Sequence, residues 1–151
     1  MHATTTFQDQ GPGEMKYFLG LEIARSKQGI IVCQRKFALD LISDLGLAGS
    51  KPAGTPLEVN QRLTSVELDE GGTCNAYHDE LLPDPTSYQQ LVGKLLYLTM
   101  TRPDIAYVVQ NLSQFMQKPK KSHMEGALRV VRYLKNAPGI NGLLITTHSA
   151  L

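Results

Sequence analysis

Three groups of side chains could do chemistry in this sequence. The first is acidic: Glu67, Asp69 and Glu70, directly before Gly71 and Gly72. Neighbouring carboxylates can cage two divalent cations for phosphoryl transfer, the ions clamping the attacking and leaving oxygens. Such a site needs rigidly held ligands, and a glycine-flanked run without apolar periodicity holds nothing rigid. No aromatic-x-Asp-Asp pair occurs anywhere in the 151 residues, so the acidic run is expected to be a solvated loop. The second group is Cys74 and His78, whose spacing could supply two zinc ligands; a structural site takes four, and no second pair stands at finger-like spacing. His123 falls in the first turn of an expected helix without a visible catalytic partner, and His2 and His148 lie near the ends. No G-x-S-x-G motif supports a nucleophile. These residues predict no catalytic site, no metal and no cofactor.

The third group is basic and gives the strongest positive signal. Lys118, Lys120 and Lys121 precede Arg129, Arg132 and Lys135, and the last three recur every third residue, along one side of a helix beside its apolar stripe. Cations so arranged can meet phosphate, or can keep a helix solvated with their stems over its apolar edge. The net charge of +1 conceals the asymmetry behind this row. Residues 58–84 carry Glu58, Glu67, Asp69, Glu70, Asp79, Glu80 and Asp84 against Arg62 alone. Residues 85–151 add Lys94 and Arg102 to the basic row and hold only Asp104 and Glu125 as acids. A basic half is the footprint of a surface that meets nucleic acid.

The elements that must position these groups follow from periodicity and punctuation. Residues 1–13 are polar, contain Gly-Pro-Gly and show no period, as expected of a disordered leader. Two β-favouring runs, Tyr17 to Ala24 and Ile30 to Gln34, flank a polar segment with Gly29, the pattern of a hairpin. From Lys36 to Leu45, Phe37, Leu41 and Leu45 recur at helical spacing with Ala38 and Ile42 beside them, and Gly46 is placed to end that helix in the left-handed conformation. Residues 47–84 hold Pro52, Pro56, Pro83 and the acidic run, and are expected to be a linker or a draped strap. Asp84 then caps a helix with Pro85 at its first position and Leu91, Val92, Leu95, Leu96 and Leu98 inward. Pro103 and Asp104 start the next, with Ile105, Val108, Val109, Leu112 and Met116 inward and Pro119 as its stop. Ser122 and Glu125 have capping-box spacing for a third, which Pro138 and Gly139 would close. Gly142 to Thr147 reads as a short last strand.

The expected fold class is α+β: a hairpin plus helix (14–46), a long acidic linker (47–84), a three-helix unit with a short C-terminal strand (85–147), and a tail (148–151). Apolar residues make up 42% of the chain and charged residues 19%. No apolar run approaches the ~20 residues that cross a bilayer, so no membrane partner is expected. With no secretory-type start and two cysteines in dissimilar settings, the expectation is an intracellular protein with free thiols, its compartment (nuclear, cytoplasmic or mitochondrial) open.

Five blocks carry a family resemblance: EMKYFLGLEI at 14–23, GIIVCQRKF at 29–37, PAGTP at 52–56, YQQLVGKLLYL with TRPDIAY at 88–107, and RVVRYLK at 129–135. In this order, over roughly 130 residues, the sequence resembles the reverse transcriptase of copia-type retrotransposons, most closely its plant members. The resemblance implies a location within that enzyme. In such polymerases the segment matching Tyr17 to Gly20 forms the primer-grip hairpin at the palm edge, and the helices beyond it build the thumb and the connection to RNase H. Fingers, most of the palm and the Asp-Asp motif would precede Glu14, and RNase H would follow Leu144. The expected role is therefore non-catalytic positioning of primer-template nucleic acid by Lys16, Tyr17, Phe18, Leu19, Gly20, Lys94, Arg102 and the basic row. Gly20 would let backbone approach the primer closely. The absent palm and RNase H segments are the implied partners. A hairpin severed from its sheet is expected to expose an edge prone to self-association. The alternatives are a domesticated protein-interaction module and a small helical DNA-binding module that uses Ser122 to Lys135 as a recognition helix.

Overall fold

Leu19 and Gly20 determine how the sheet begins. The computed structural model, which describes residues 16–26, 29–58, 63–65, 79–136 and 143–145, places both at positive φ, +49° and +79°. Two successive left-handed residues make the tight turn whose twist suits an antiparallel pair. The run expected as one strand is accordingly two, β1 (Lys16–Phe18) and β2 (Leu21–Ser26), with Lys16 opposite Ile23 and Phe18 opposite Leu21. The expected hairpin follows, β2 pairing antiparallel with β3 (Gly29–Cys33) from Glu22 opposite Cys33 to Ser26 opposite Gly29. Gly29 has φ +149°, a conformation that favours glycine. On the other side of β3 lies β4 (Leu143–Ile145), with Val32 opposite Leu143, so the sheet order is β1-β2-β3-β4.

Helix α1 (Arg35–Asp44) buries Ala38, Leu41 and Ile42, while Phe37 is half-buried and Leu45 falls just past the last turn, largely exposed. Gly46, at φ +67°, ends it as expected: its N–H donates to Ser43 O at 2.9 Å and Leu47 N–H to Ile42 O at 3.0 Å. That pair of bonds satisfies two carbonyls which a helix terminus otherwise orphans. Helix α2 (Thr86–Leu98) is preceded by Pro85, and Asp84 Oδ1 accepts the Thr86 N–H at 2.9 Å, the cap expected of it. A 3-10 turn (Pro103–Ile105) leads into α3 (Ala106–Ser113), which ends well before Pro119. Helix α4 is Lys121–Leu134, and Pro138 and Gly139, expected to close it, lie outside the described residues.

All four helices share one core. Ala38, Leu41 and Ile42 of α1 join Leu91, Val92, Leu95 and Leu98 of α2, Val108, Val109 and Leu112 of α3, and Ala127, Val130, Val131 and Leu134 of α4. At ~25 cal/mol per Å² of apolar surface removed from water, this cluster is the main source of stability. Tyr88 is buried within it and donates its hydroxyl to Leu112 O at 2.6 Å. Burial without a charged partner pushes that hydroxyl far above the ordinary tyrosine range.

The described parts of 47–84 drape along α4. Ala53 N–H donates to Arg132 O at 3.3 Å, Leu63 reaches Gly126, Leu82 N–H donates to Pro119 O at 2.8 Å, and Lys121 N–H donates to Glu80 O at 2.9 Å. Leu81 and Lys120 form an antiparallel bridge. The capping box expected of Ser122 and Glu125 does not form, because the N-cap is Lys120, two residues before Ser122. Asp79, on the strap, accepts both the Ser122 N–H, at 3.1 Å, and the Ser122 hydroxyl.

Candidate nucleic-acid interface

The hairpin tip is bonded to α2. Leu19 is 77% exposed, and its carbonyl accepts a hydrogen bond from the Tyr97 hydroxyl. The Tyr97 ring stands edge-on to Phe37, centroids 5.0 Å apart. Lys94 lies one turn earlier on α2, exposed, and Lys16 is exposed on β1. Tyr17 and Phe18 occupy β1 opposite Glu22 and Leu21. Beneath the tip, buried Glu22 accepts the Lys36 N–H at 3.1 Å and the Cys33 thiol at 3.5 Å, so a carboxylate on β2 caps α1. Burial raises the Cys33 thiol, and the nearby Glu22 carboxylate adds to the rise. Cys33 is a free thiol.

Gly20 serves this arrangement twice. Its φ is left-handed, and a Cβ there would sit 3.3 Å from the Tyr97 hydroxyl oxygen. Gly46 is also left-handed, but a Cβ there would meet nothing within 4 Å. Both Gly20→Ala and Gly46→Ala are therefore expected to cost about 1 kcal/mol for backbone conformation, with Gly20→Ala costing about 1 kcal/mol more for the crowded contact. Urea melts of the two variants check this. In a Tyr97→Phe background the excess at Gly20 should vanish.

Arg102 is buried in the fold rather than displayed. Its Nε donates to Asp104 Oδ1 at 3.0 Å and its Nη2 to Asp104 Oδ2 at 2.8 Å, a two-point pairing. The guanidinium also lies 5.9 Å from the centre of the Tyr133 ring, whose hydroxyl donates to Asp104 Oδ2 at 2.9 Å. Hydrogen bonds from Arg102, then from Tyr133, hold the Asp104 carboxyl below its ordinary range, against the opposing effect of burial. The same carboxylate raises the Tyr133 hydroxyl.

The basic row is distributed by role along α4 and its approach. Lys120 is buried, its amine 3.3 Å from Thr64 Oγ1 and 3.8 Å from Asp79 Oδ2. Lys121 pairs with Glu80, both more than half exposed. Arg129 donates from Nη1 to Glu58 Oε1 at 3.0 Å, from Nε to Thr55 O at 3.1 Å and from Nη2 to Thr55 Oγ1 at 3.0 Å. Lys135 gives its amine to the carbonyls of Leu47 (2.9 Å), Ala48 (2.8 Å) and Ser50, just beyond the end of α1. A cation there also suits the negative end of that helix. Arg132 is half-buried and its Nε has no hydrogen-bond partner among the described residues. Lys118 is exposed.

His123 acts within the fold. It is fully buried, stacked on Phe115 at 3.9 Å. Its Nδ1 accepts the Lys120 N–H at 3.0 Å, which leaves Nε2 to donate to Thr64 O at 3.0 Å. Sequence reasoning missed Asp79, Thr64, Glu58 and Tyr97 as partners, each of them 40 or more residues from the group it contacts. Glu67, Asp69, Glu70, Cys74 and His78 lie outside the described residues. Among the described residues no three side chains are grouped as metal ligands, and no helix is long and apolar enough to cross a membrane.

The α+β chain, with its hairpin tip bonded to α2 and a cation-bearing helix under an acidic strap, has similarities to known proteins. Over most of its length the chain is a homologue of the retrovirus-related Pol polyproteins of plant copia-type transposons. In Arabidopsis thaliana it is 40% identical over 125 residues to the retrovirus-related Pol polyprotein from transposon RE2 and 38% identical over 125 residues to that from transposon RE1. Each match covers 83% of this chain and 8% of the polyprotein, so the chain spans under a tenth of those relatives. An uncharacterized mitochondrial protein of the same plant is 33% identical over 148 residues, 98% of this chain and 56% of that protein. No protein-family profile matches the chain, and no solved structure does.

Proposed function

We propose that the chain is a non-catalytic segment of a copia-type reverse transcriptase that grips primer-template nucleic acid through its sugar-phosphate backbone. The observation that carries this reading is the match to plant transposon Pol polyproteins across 83% of the chain. The exposed Leu19–Gly20 tip, braced by Tyr97 and accompanied by Lys16 and Lys94, supports it. Backbone gripping needs exposed main chain and cations rather than base-reading side chains. Of the expected contacts, Lys16, Leu19, Gly20, Lys94, Lys118 and Lys121 are exposed, with Arg129 and Arg132 half-exposed beside them. Arg102, Lys120 and Lys135 support the grip by fixing the fold that presents it.

The test is fluorescence anisotropy with labelled primer-template duplexes of different base composition. Binding that weakens on Lys16→Ala/Lys94→Ala and is indifferent to sequence is expected. Discrimination of about 1–3 kcal/mol per base pair would favour the recognition-helix alternative instead. With magnesium or manganese present, no primer extension is expected, and extension by the purified chain alone would overturn the non-catalytic part of the reading.

A further inference from the structure

The outward face of α4 and the strap beside it have opposite charge, and their contacts differ in kind. At 100° per residue, Lys121, Arg132 and Arg129 fall within about 80° of one another, spread over about 16 Å of helix. They lie opposite the buried His123, Ala127, Val130 and Leu134. The strap's main chain is anchored against this helix by Ala53 to Arg132, Lys121 to Glu80 and Leu82 to Pro119. Two carboxylates from the same strap close on two members of the stripe, Glu80 on Lys121 and Glu58 on Arg129. Glu80 is 53% exposed and Glu58 60% exposed, so each can swing into solvent without moving the anchored backbone. Ion pairs with a solvent-exposed carboxylate contribute little to stability. A phosphate, by contrast, offers several acceptor oxygens to a guanidinium. Three residues beyond Arg129, Arg132 is half-buried, and its buried Nε has no hydrogen-bond partner among the described residues.

We infer that Glu58 and Glu80 are an intramolecular stand-in for nucleic-acid phosphates. They mask the α4 stripe, and a nucleic-acid backbone displaces the two carboxylates to engage Lys121, Arg129 and Arg132. The inference rests on the nucleic-acid reading above and adds a control on it: the strap sets a threshold that only a polyanion with several phosphates in register exceeds. Asp79 is excluded from this role, because it caps α4 at Ser122 and faces the buried Lys120.

The experiment compares the full chain with Glu58→Gln/Glu80→Gln and with Asp40→Asn/Asp44→Asn. The second variant changes net charge equally but on α1, where Asp40 pairs with Lys36 in the open. The probe is a labelled 20-base-pair DNA duplex, titrated from 50 to 200 mM salt. The strap variant is expected to bind about 3- to 10-fold more tightly at low salt. Its plot of log affinity against log salt should keep the parent's slope, since the same phosphates are neutralised once the carboxylates are displaced. Its melting temperature should stay within a few degrees of the parent. Equal gains from both variants, or no gain from the strap variant while the parent binds, would overturn the mask and leave the nucleic-acid reading standing. Absence of binding by the parent and the strap variant alike would overturn both.

Discussion

Replacing Asp104 by alanine is expected to cost about 3 kcal/mol, because it removes the two-point carboxylate partner of a buried guanidinium. Arg102 is only 4% exposed, and its Nε and Nη2 donate to the two Asp104 oxygens. Removing the carboxylate also leaves the Tyr133 hydroxyl without its acceptor. Urea denaturation measures the loss, and Arg102→Leu/Asp104→Leu should recover most of it, since replacing a whole buried pair by apolar groups is often nearly neutral. The pH dependence has a definite sign. The Asp104 carboxyl is held below its ordinary range in the fold, and an unfolded aspartate titrates near 3.9. The stability it contributes is therefore fully present above pH ~4 and is lost as the pH falls through the lower, folded value. The gap between the parent and Asp104→Ala should narrow as the pH is taken below 4. A gap that widened there would contradict this account of the cluster.

His123→Ala is expected to cost a similar amount, about 3 kcal/mol, through a different route. The imidazole is fully buried, and its removal opens a void against Phe115. It also strands the Lys120 N–H and the Thr64 carbonyl. His123→Phe keeps the stack and loses only the hydrogen bonds, so it should cost about half as much. The two variants separate packing from polar satisfaction in one denaturation series. If the alanine variant were as stable as the parent, Thr64 and the segment around it would not be held to α4 in the way the geometry requires.

Where the sequence was legible, the signal was local. Gly46 closes α1, Asp84 caps the helix that Pro85 opens, and Leu91, Val92, Leu95 and Leu98 of α2 and Val108, Val109 and Leu112 of α3 are buried where their period puts them, because each depends on residues within one turn; Leu96, expected inward beside them, is 37% exposed. Contacts made across long separations were not legible. Ser122 and Glu125 have the spacing of a capping box, yet Asp79 takes Ser122 from 43 residues away, and Glu22 caps α1 from another element. The single strand expected from Tyr17 to Ala24 breaks at Leu19, because nothing about leucine announces a left-handed φ; the tertiary bond from Tyr97 accompanies that conformation. Spacing puts the cations in a row, but charge alone does not say which partner each one has. Arg102 and Lys120 are buried with acids, Lys135 serves carbonyls beyond α1, and Lys121 and Arg129 meet the strap. Glu58 and Glu80 therefore read differently once folded. Part of what looked like a linker is the counter-charge of the helix it crosses.

The most direct test of the account is the salt dependence of nucleic-acid binding by the unmodified chain. A primer-template duplex titrated at several salt concentrations is expected to give a linear fall of log affinity with log salt. A slope of about −2 to −4 is expected, as for the neutralisation of a few phosphates, with no change on swapping base composition. A flat dependence, or no binding even at 50 mM salt, would contradict a backbone grip and point the exposed hairpin tip toward a protein partner.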